Sequence, residues 1–376
     1  MKTVRRLFYV DIVTAVAFVA LAFLSLSFFI DFVDELGDVG PTYTVLQAAL
    51  YSLLLVPGRF YEVAPIAVLI GTIYSLARMA QSSEYTILRT GGLGPGRALS
   101  LLAVLGLVFG VLTFVVGDYL APLSERQASL VQAMRTGGLK LGRSGAWLKD
   151  HATTPEGERS YSINVGSAGP KGELNNIRIF EFDDSNRLLR RIAAARAQVD
   201  PKSQAWALQD VTVTRWVNAA GAGAGEGSGA RQAPEQKLAE LAWHSRLSSA
   251  VVAATVSPVR AMSTFDLARY ISHLAENEQA AQVYQIQFWK RALYPFACLV
   301  MVGLALPFAY MHARASGISL KVFGGIMLGI SFVLLNNLAG HIGILRGWSP
   351  WLAAAAPSLV YLLLSMGAFA WLVRYR

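Results

Sequence analysis

The residues able to do chemistry are few and poorly placed for it. The five histidines, His151, His244, His273, His312 and His341, are scattered, with no H-E-x-x-H pattern and no close pair for a metal, so each reads as a surface or interface residue. The one cysteine, Cys298, lies in an apolar stretch, which leaves no intrachain disulfide and no cysteine-based metal cluster. No G-x-x-x-x-G-K-[ST] segment occurs. The run Gly91-Gly92-Leu93-Gly94-Pro95-Gly96 resembles a phosphate loop only superficially, because it lacks the lysine and a preceding strand. A serine hydrolase needs a base beside its nucleophile, and no apolar stretch supplies one. The chain therefore reads as a non-enzyme, and any energy for work must enter from a partner.

Composition says what surrounds these residues. Of 376 residues, 54% are hydrophobic and 15% charged, against about 45–50% and about 25% in soluble domains. Residues 121 to 290 hold 20 of the 33 Lys+Arg and 16 of the 24 Asp+Glu, so the net charge of +9 divides into +4 for the middle and +5 for the flanks. No basic run with interleaved aromatics appears, which removes nucleic acid as a partner. The start, Met1 to Arg6 before an apolar run, imitates a signal peptide, but Ile12 to Ile30 is longer than the usual apolar core and reads as a retained anchor.

Six apolar stretches approach the length that crosses a membrane: Ile12 to Ile30, Val63 to Ala77, Ala98 to Gly117, Ala292 to Met311, Val322 to Gly340 and Gly347 to Val373. As bounded, they contain no Asp, Glu, Lys, Arg or His, which argues against a proton-driven transporter. The second is short, and residues 41 to 56 are also uncharged. Lys and Arg decide the count, since cytoplasmic loops carry their excess. Six spans with the N-terminus inside put Lys2, Arg5, Arg6, Arg78, Arg89, Arg97, Arg314, Lys321, Arg374 and Arg376 on the cytoplasmic side, and leave Arg59 and Arg346 in the short outer loops. Residues 41 to 56 then read as an interfacial or partly inserted helix, with Pro57-Gly58 as a joint.

The expected architecture is an α-helical integral membrane protein of six transmembrane helices with an inserted, jelly-roll-like all-β domain outside. Spans one to three occupy 1–120, the β domain 121–262, a helical connector 263–290 and spans four to six 291–376. Candidate strands are Ala146 to Lys149, Ser160 to Val165, Asn176 to Phe182, Leu188 to Val199, Ala205 to Val217 and Leu238 to Leu247, separated by turn signals such as Asp183-Asp184-Ser185-Asn186. Gly221 to Gly229 reads as a flexible loop. Ser263-Thr264 reads as a helix N-terminus, and a second helix from about Glu278 runs into span four.

One cytoplasmic loop is more specific. In Ser82 to Gly92, Ser83 is a candidate N-cap, Glu84 suits the first turn, and Gly91 or Gly92 can close a helix of two turns over about 82–91. So short a helix needs a docking surface. Tyr85 and Leu88, with Thr86 and Arg89, offer an apolar face with charged edges. The alternative is a turn lying on the headgroups.

At these residues the chain resembles the LptF/LptG permeases. The loop is similar to their "R-S-E-L … A-S-G" segment, and the context extends the likeness: Phe32-Val33-Asp34-Glu35-Leu36, Leu55-Val56-Pro57, Pro65, Ala121-Pro122 and Gln285 to Pro295. It covers essentially the whole chain and is nearer the LptG branch over 263–310. The resemblance implies a transmembrane subunit of a lipopolysaccharide exporter in a Gram-negative inner membrane, with both termini cytoplasmic and the β domain periplasmic. It implies an LptF-like paralogous permease, an LptB-like ATPase dimer that binds ATP and Mg, an LptC and LptA-like bridge, lipopolysaccharide as substrate, and no cofactor in this chain. Glu84 would pair with a basic group of the ATPase, and spans one and five would form a lateral gate. The family often carries lysine where this chain has Asp31, and an anion cannot replace that cation. Arg59, Arg126 and Arg135 are the substitute candidates for phosphate, each with an ordinary interfacial role as the alternative.

Phe28, Phe29 and Phe32 offer contact to acyl chains or to lipid, and Asn336-Asn337 suit a wet cavity mouth or interhelical hydrogen bonds. Gly106-x-x-x-Gly110 and Gly325-x-x-x-Gly329 permit close helix approach, either within the chain or between span five and a partner. The rival function is a membrane-anchored scaffold whose β domain binds partners without transport.

Overall fold

The computed structural model describes residues 2–40, 43–92, 94–136, 139–140, 145–154, 157–168, 173–199, 205–217, 231–232, 235–245, 259, 262–276, 281–310 and 317–374. Arg314 and the Gly221 to Gly229 loop lie outside them. Among these residues, six helical segments are long and apolar enough to cross a membrane.

Helix α1 (Lys2–Leu36) packs along α2 (Val45–Gln81). Thr44 starts α2 with a capping box: the Gln47 N–H donates to Thr44 Oγ1, and the Thr44 N–H donates to Gln47 Oε1 at 2.8 Å. Pro57 and Pro65 both lie inside this helix, so residues 45–56 and span two form one element rather than two joined at Pro57-Gly58. The helix extends the short second apolar stretch on both sides, through this preceding segment and through Arg78 to Ala80. Short helix α3 (Glu84–Thr90) leads to α4 (Pro95–Val115), a π-helical segment (Val116–Leu120) and α5 (Ala121–Thr136), which run as one rod. Residues 121–136 are thus helical, ahead of the first strand.

Strands β1 (Leu139–Lys140), β2 (Ala146–Thr154), β3 (Gly157–Ala168), β4 (Leu174–Phe182), β5 (Leu188–Val199), β6 (Ala205–Val217), β7 (Arg231–Gln232) and β8 (Gln236–His244) form one antiparallel sheet. The long strands pair in chain order, with β8 taking its place beside β6, which settles a connectivity the sequence left open. Alternation dictates the inner face: Ile163, Ile177, Ile179, Ile192, Trp206, Leu208 and Val211 are all buried. Asn176 and Asp210 drop out of the pairing with left-handed φ of 54° and 51° while the register holds on either side, and the register shifts between Glu181 and Phe182. Such interruptions bend strands. The sheet curls until Trp243 of β8 meets Tyr161 of β3 with ring centroids 5.6 Å apart, and the Ser245 hydroxyl donates to Asp150 at 2.6 Å.

Helix α6 (Thr264–Glu276) closes that core with Tyr270 and Leu274. Its expected N-terminus is present, since Asp266 N–H donates to Ser263 Oγ at 3.1 Å. Then α7 (Gln282–Tyr310), α8 (Ile318–Arg346) and α9 (Pro350–Arg374) complete the bundle. The α3 end and the β-domain end are opposite ends of α4.

The helices outrun the apolar stretches that predicted them, and ionisable residues sit in the extensions. At the α3 end Asp11 of α1 pairs with Arg78 of α2 and accepts from Ser75 at 2.7 Å. The Gly pairs pack inside the chain. A Cβ on Gly110 would stand 2.8 Å from the Pro295 carbonyl oxygen of α7, and one on Gly329 2.7 Å from Ile66 Cγ2 of α2.

Candidate functional site

Three places in the bundle gather the residues that the sequence singled out. The first is α3. Ser83 stands at its N-cap position but takes φ 61°, and its side chain makes no capping bond. The helix is held instead by its side chains. Tyr85 is 3% exposed and packs edge-on against Tyr310 at the end of α7, with centroids 5.2 Å apart. The Arg89 guanidinium lies 5.7 Å from the same Tyr310 ring. Burial holds the Tyr85 phenol well above its ordinary range. Leu88 packs against the same core.

Tyr85 and Leu88 therefore face into this chain rather than toward a partner, a correction to the expected docking face. The outward side carries Glu84, Thr86 and Ile87, and Ile87 is 68% exposed. Among the described residues Glu84 has no hydrogen bond or ion pair through its side chain. Ile87 was missed because a two-turn helix does not reveal its inner face until its neighbour is known.

The second place is the rim at the β-domain end. Asp31 and Arg59, considered separately as substrate contacts, are each other's partners: Arg59 Nη2 lies 2.6 Å from Asp31 Oδ1, and Arg59 Nε donates to Asp31 Oδ2 at 3.0 Å. Arg59 also meets Glu62 at 3.3 Å. Arg126 of α5 pairs with Asp266 of α6 at 2.6 Å. Arg135 lies within α5, with its side chain outside the described residues. On α1, Phe28 stacks on Phe32, 6.0 Å between centroids, while Phe29 is exposed. Phe18, Leu21 and Leu26 extend this bare apolar strip.

The third place is a recess of about 360 Å³ at the same end, walled by α2, the π segment, α5, α7 and α8. It contains Asn336 and Asn337, as well as Lys290 and Arg291, which the sequence reading passed over because it began span four at Ala292. A signal was present: Gln287, Lys290, Arg291 and Tyr294 fall at i, i+3, i+4 and i+7, a polar stripe on one helix face. Lys290 Nζ donates to the Asn336 carbonyl oxygen at 3.0 Å, and Arg291 Nη1 to the Gly117 carbonyl oxygen at 3.2 Å. Tyr294 and Tyr61 lie ring to ring at 4.4 Å. Among the described residues there is no group of histidines, cysteines or carboxylates able to hold a metal.

Among the described residues this arrangement shows no catalytic constellation. It has a pinned helix with a bare outer face, a bare apolar helix, a polar recess and a β domain, all of which suit the handling of an amphipathic molecule. Comparison with known proteins agrees. The chain is similar to the lipopolysaccharide export system permease protein LptG of Escherichia coli strain K12, 28% identical over 358 residues covering 94% of each chain. It is also similar to the protein of the same name from Haemophilus influenzae, 24% identical over 366 residues covering 96% of this chain and 97% of that one. The family model described as lipopolysaccharide export system permease LptF/LptG matches residues 6–374, so six apolar helices around an inserted β sheet are here the structure of a member of that family.

Proposed function

We propose that the chain is the transmembrane subunit of an ATP-driven exporter that extracts lipopolysaccharide from the inner membrane and passes it to a periplasmic bridge. The observation that carries this reading is α3: a seven-residue helix, unstable alone, is pinned through Tyr85 to Tyr310 and keeps Glu84 and Ile87 bare. A scaffold has no need of such a lever. A partner ATPase of the LptB type docks on this outer side, with Glu84 meeting a basic group and Ile87 an apolar notch. ATP and Mg stay in that partner.

The excess of Lys and Arg at the α3 end favours termini and α3 on the cytoplasmic side and the β domain in the periplasm. The apolar strip of α1, with α8, meets a paralogous LptF-like permease to form a lateral gate, where Phe28, Phe29 and Phe32 contact acyl chains. Movement of α3 with Tyr310 tilts α7 and closes the cavity, and the β domain hands the lipid to LptC and LptA-like partners.

The test is Glu84→Ala and Ile87→Asp in the assembled complex, with membrane insertion and co-purification of the ATPase as readouts beside transport. Inserted chain with impaired coupling is expected for both. Normal ATP-dependent transport in both variants, or no ATPase recovered with the native chain, refutes the reading and favours the scaffold.

A further inference from the structure

The recess between α2, α7 and α8 contains a charge that the transport reading has not used. Lys290 is half-buried on a membrane-spanning helix, and its hydrogen-bond partner is a backbone carbonyl, not a carboxylate. No described carboxylate forms an ion pair with it. Burying an ammonium without a counter-ion is costly, and a cation at membrane depth needs a partner. The carboxylates of the recess are Glu62 and Glu125, on α2 and α5, and Glu62 is engaged by Arg59 at 3.3 Å.

A second, independent sign is Asn336. Its side-chain Oδ1 is buried and, among the described residues, has no hydrogen-bond partner. An orphaned amide oxygen of this kind is expensive unless something bonds to it. Because amide oxygen and nitrogen are interchangeable by rotation, the group can accept from a hydroxyl or donate to an oxyanion. Gln287 adds a second amide on the Lys290 side.

Depth selects the ligand. At 1.5 Å per residue Lys290 lies about 30 Å along α7 from Tyr310, and Asn336 about 27 Å along α8 from Ile318. A hydrocarbon core is about 30 Å thick. Both groups thus lie toward the β-domain end of their helices, about one hydrocarbon thickness from the α3 end. Val333 and Asn337 are exposed on the α8 wall, so the recess opens sideways, while buried Phe332 forms its apolar floor. None of its walls comes from α1, which separates it from the strip that carries Phe28, Phe29 and Phe32.

We propose that this recess is a headgroup site for the phosphate of a membrane lipid, with Lys290 as its anchoring charge and Asn336 bonding the phosphate or an adjacent hydroxyl. Placing it in the periplasmic leaflet rests on the orientation given under Proposed function; the phosphate chemistry does not.

The experiment places a benzophenone amino acid at Val333 in the full chain, in membranes with its partner subunits, and identifies the lipid captured on irradiation. The chain with native Lys290 is compared with Lys290→Gln and Lys290→Arg at equal membrane levels. Capture of a phosphate-bearing lipid is expected, falling at least about tenfold in Lys290→Gln and returning in Lys290→Arg. Captured lipopolysaccharide supports the site as part of the export path. A glycerophospholipid with the same lysine dependence supports the phosphate site and makes its occupant a bulk lipid. Equal capture with Lys290→Gln, or capture only of lipids without phosphate, overturns the proposal. A second crosslinker at Phe32 keeps the two readings apart. Lipopolysaccharide captured there, with no lysine dependence at Val333, sinks the recess alone; its absence at both positions, with lysine-dependent capture of a glycerophospholipid at Val333, sinks the transport reading alone.

Discussion

The pairing of Asp31 with Arg59 makes a quantitative prediction, because each was a candidate for substrate and the structure joins them. The perturbations are Asp31→Asn, Arg59→Gln and the double variant. At 2.6 Å, the Coulomb attraction at an effective dielectric of 20 is roughly 6 kcal/mol before desolvation is subtracted. Net values are far smaller: about 0.2–1 kcal/mol for exposed pairs and about 3–5 kcal/mol for removing one partner of a buried pair. Arg59 is 34% exposed and Asp31 12%, so solvent screening discounts the upper figure, and a coupling energy of about 1–2 kcal/mol is expected. The single variants should differ. Asp31→Asn leaves Arg59 with Glu62 and should cost about 1 kcal/mol, while Arg59→Gln strands the more buried carboxylate and should cost about 2 kcal/mol. Denaturation of the purified chain in detergent, analysed as a double-mutant cycle, measures all three. Asp31→Lys, which faces Arg59 with a like charge, should be at least as damaging as Arg59→Gln. A coupling below about 0.3 kcal/mol, a larger loss for Asp31→Asn, or a harmless Asp31→Lys refutes the pairing as a structural tie and returns Arg59 to the list of phosphate contacts.

Tyr85→Ala should free α3 from Tyr310 and cost up to about 3–5 kcal/mol locally, read as lost hydrogen-exchange protection over 84–90. Tyr85→Phe keeps the ring and should leave that protection intact; equal loss in both refutes ring packing as the anchor. Gly110→Ala drives a Cβ to within 2.8 Å of the Pro295 backbone oxygen and should cost about 1–3 kcal/mol. Gly329→Ala meets only the Ile66 side chain, which can turn away, and should cost less; equal shifts in melting temperature go against this distinction. In the β4–β5 turn, hydrogen bonds from the Arg187 backbone N–H above all hold the Asp183 carboxyl below the ordinary 3.8, with the Arg187 guanidinium and the Ser185 N–H adding to it. Since the folded value is lowered, the turn's contribution is complete above the ordinary value and is lost as pH falls through the folded one. Carboxyl chemical shifts should therefore show Asp183 titrating below a model aspartate, and titration above 3.8 would contradict the bonding.

Most of the fold was legible because it rests on periodicities that need no partner. Alternation in Ile177-Arg178-Ile179 and Val211-Thr212-Val213 located β4 and β6, and uncharged runs located the spans. The sum of Lys and Arg rejected a seventh span, rightly, although the reason differs: residues 45–56 belong to the same helix as span two. A joint at Pro57-Gly58 follows from the rule that proline removes a helical bond. In a membrane helix neighbouring groups can satisfy the freed carbonyl, and α2 continues. The site was less legible. Whether Tyr85 faces in or out is decided by Tyr310, and whether Asp31 is a ligand or a counter-ion is decided by Arg59 on another helix. Such facts belong to tertiary contacts, which local spacing cannot carry.

The same dependence explains how the bundle holds its β domain. A π segment leaves a local mismatch in helical hydrogen bonding, and the one at Val116–Leu120 is used from two sides. Arg291 of α7 takes the Gly117 carbonyl oxygen, and Asp118 accepts from the Thr264 N–H at 2.6 Å, so an acidic residue of the bundle caps the positive end of α6. About two turns along, Arg126 reaches Asp266 on that same helix. Because α6 buries Tyr270 and Leu274 in the sheet core, the Arg291–Gly117 and Asp118–Thr264 bonds form a continuous link from α7 through the π segment to the helix packed beneath the sheet. A plain α-helix at this point would have bonded its own Gly117 carbonyl and turned Asp118 elsewhere. The five-residue irregularity therefore joins the two parts of the chain through the Gly117 carbonyl oxygen and the Asp118 carboxylate.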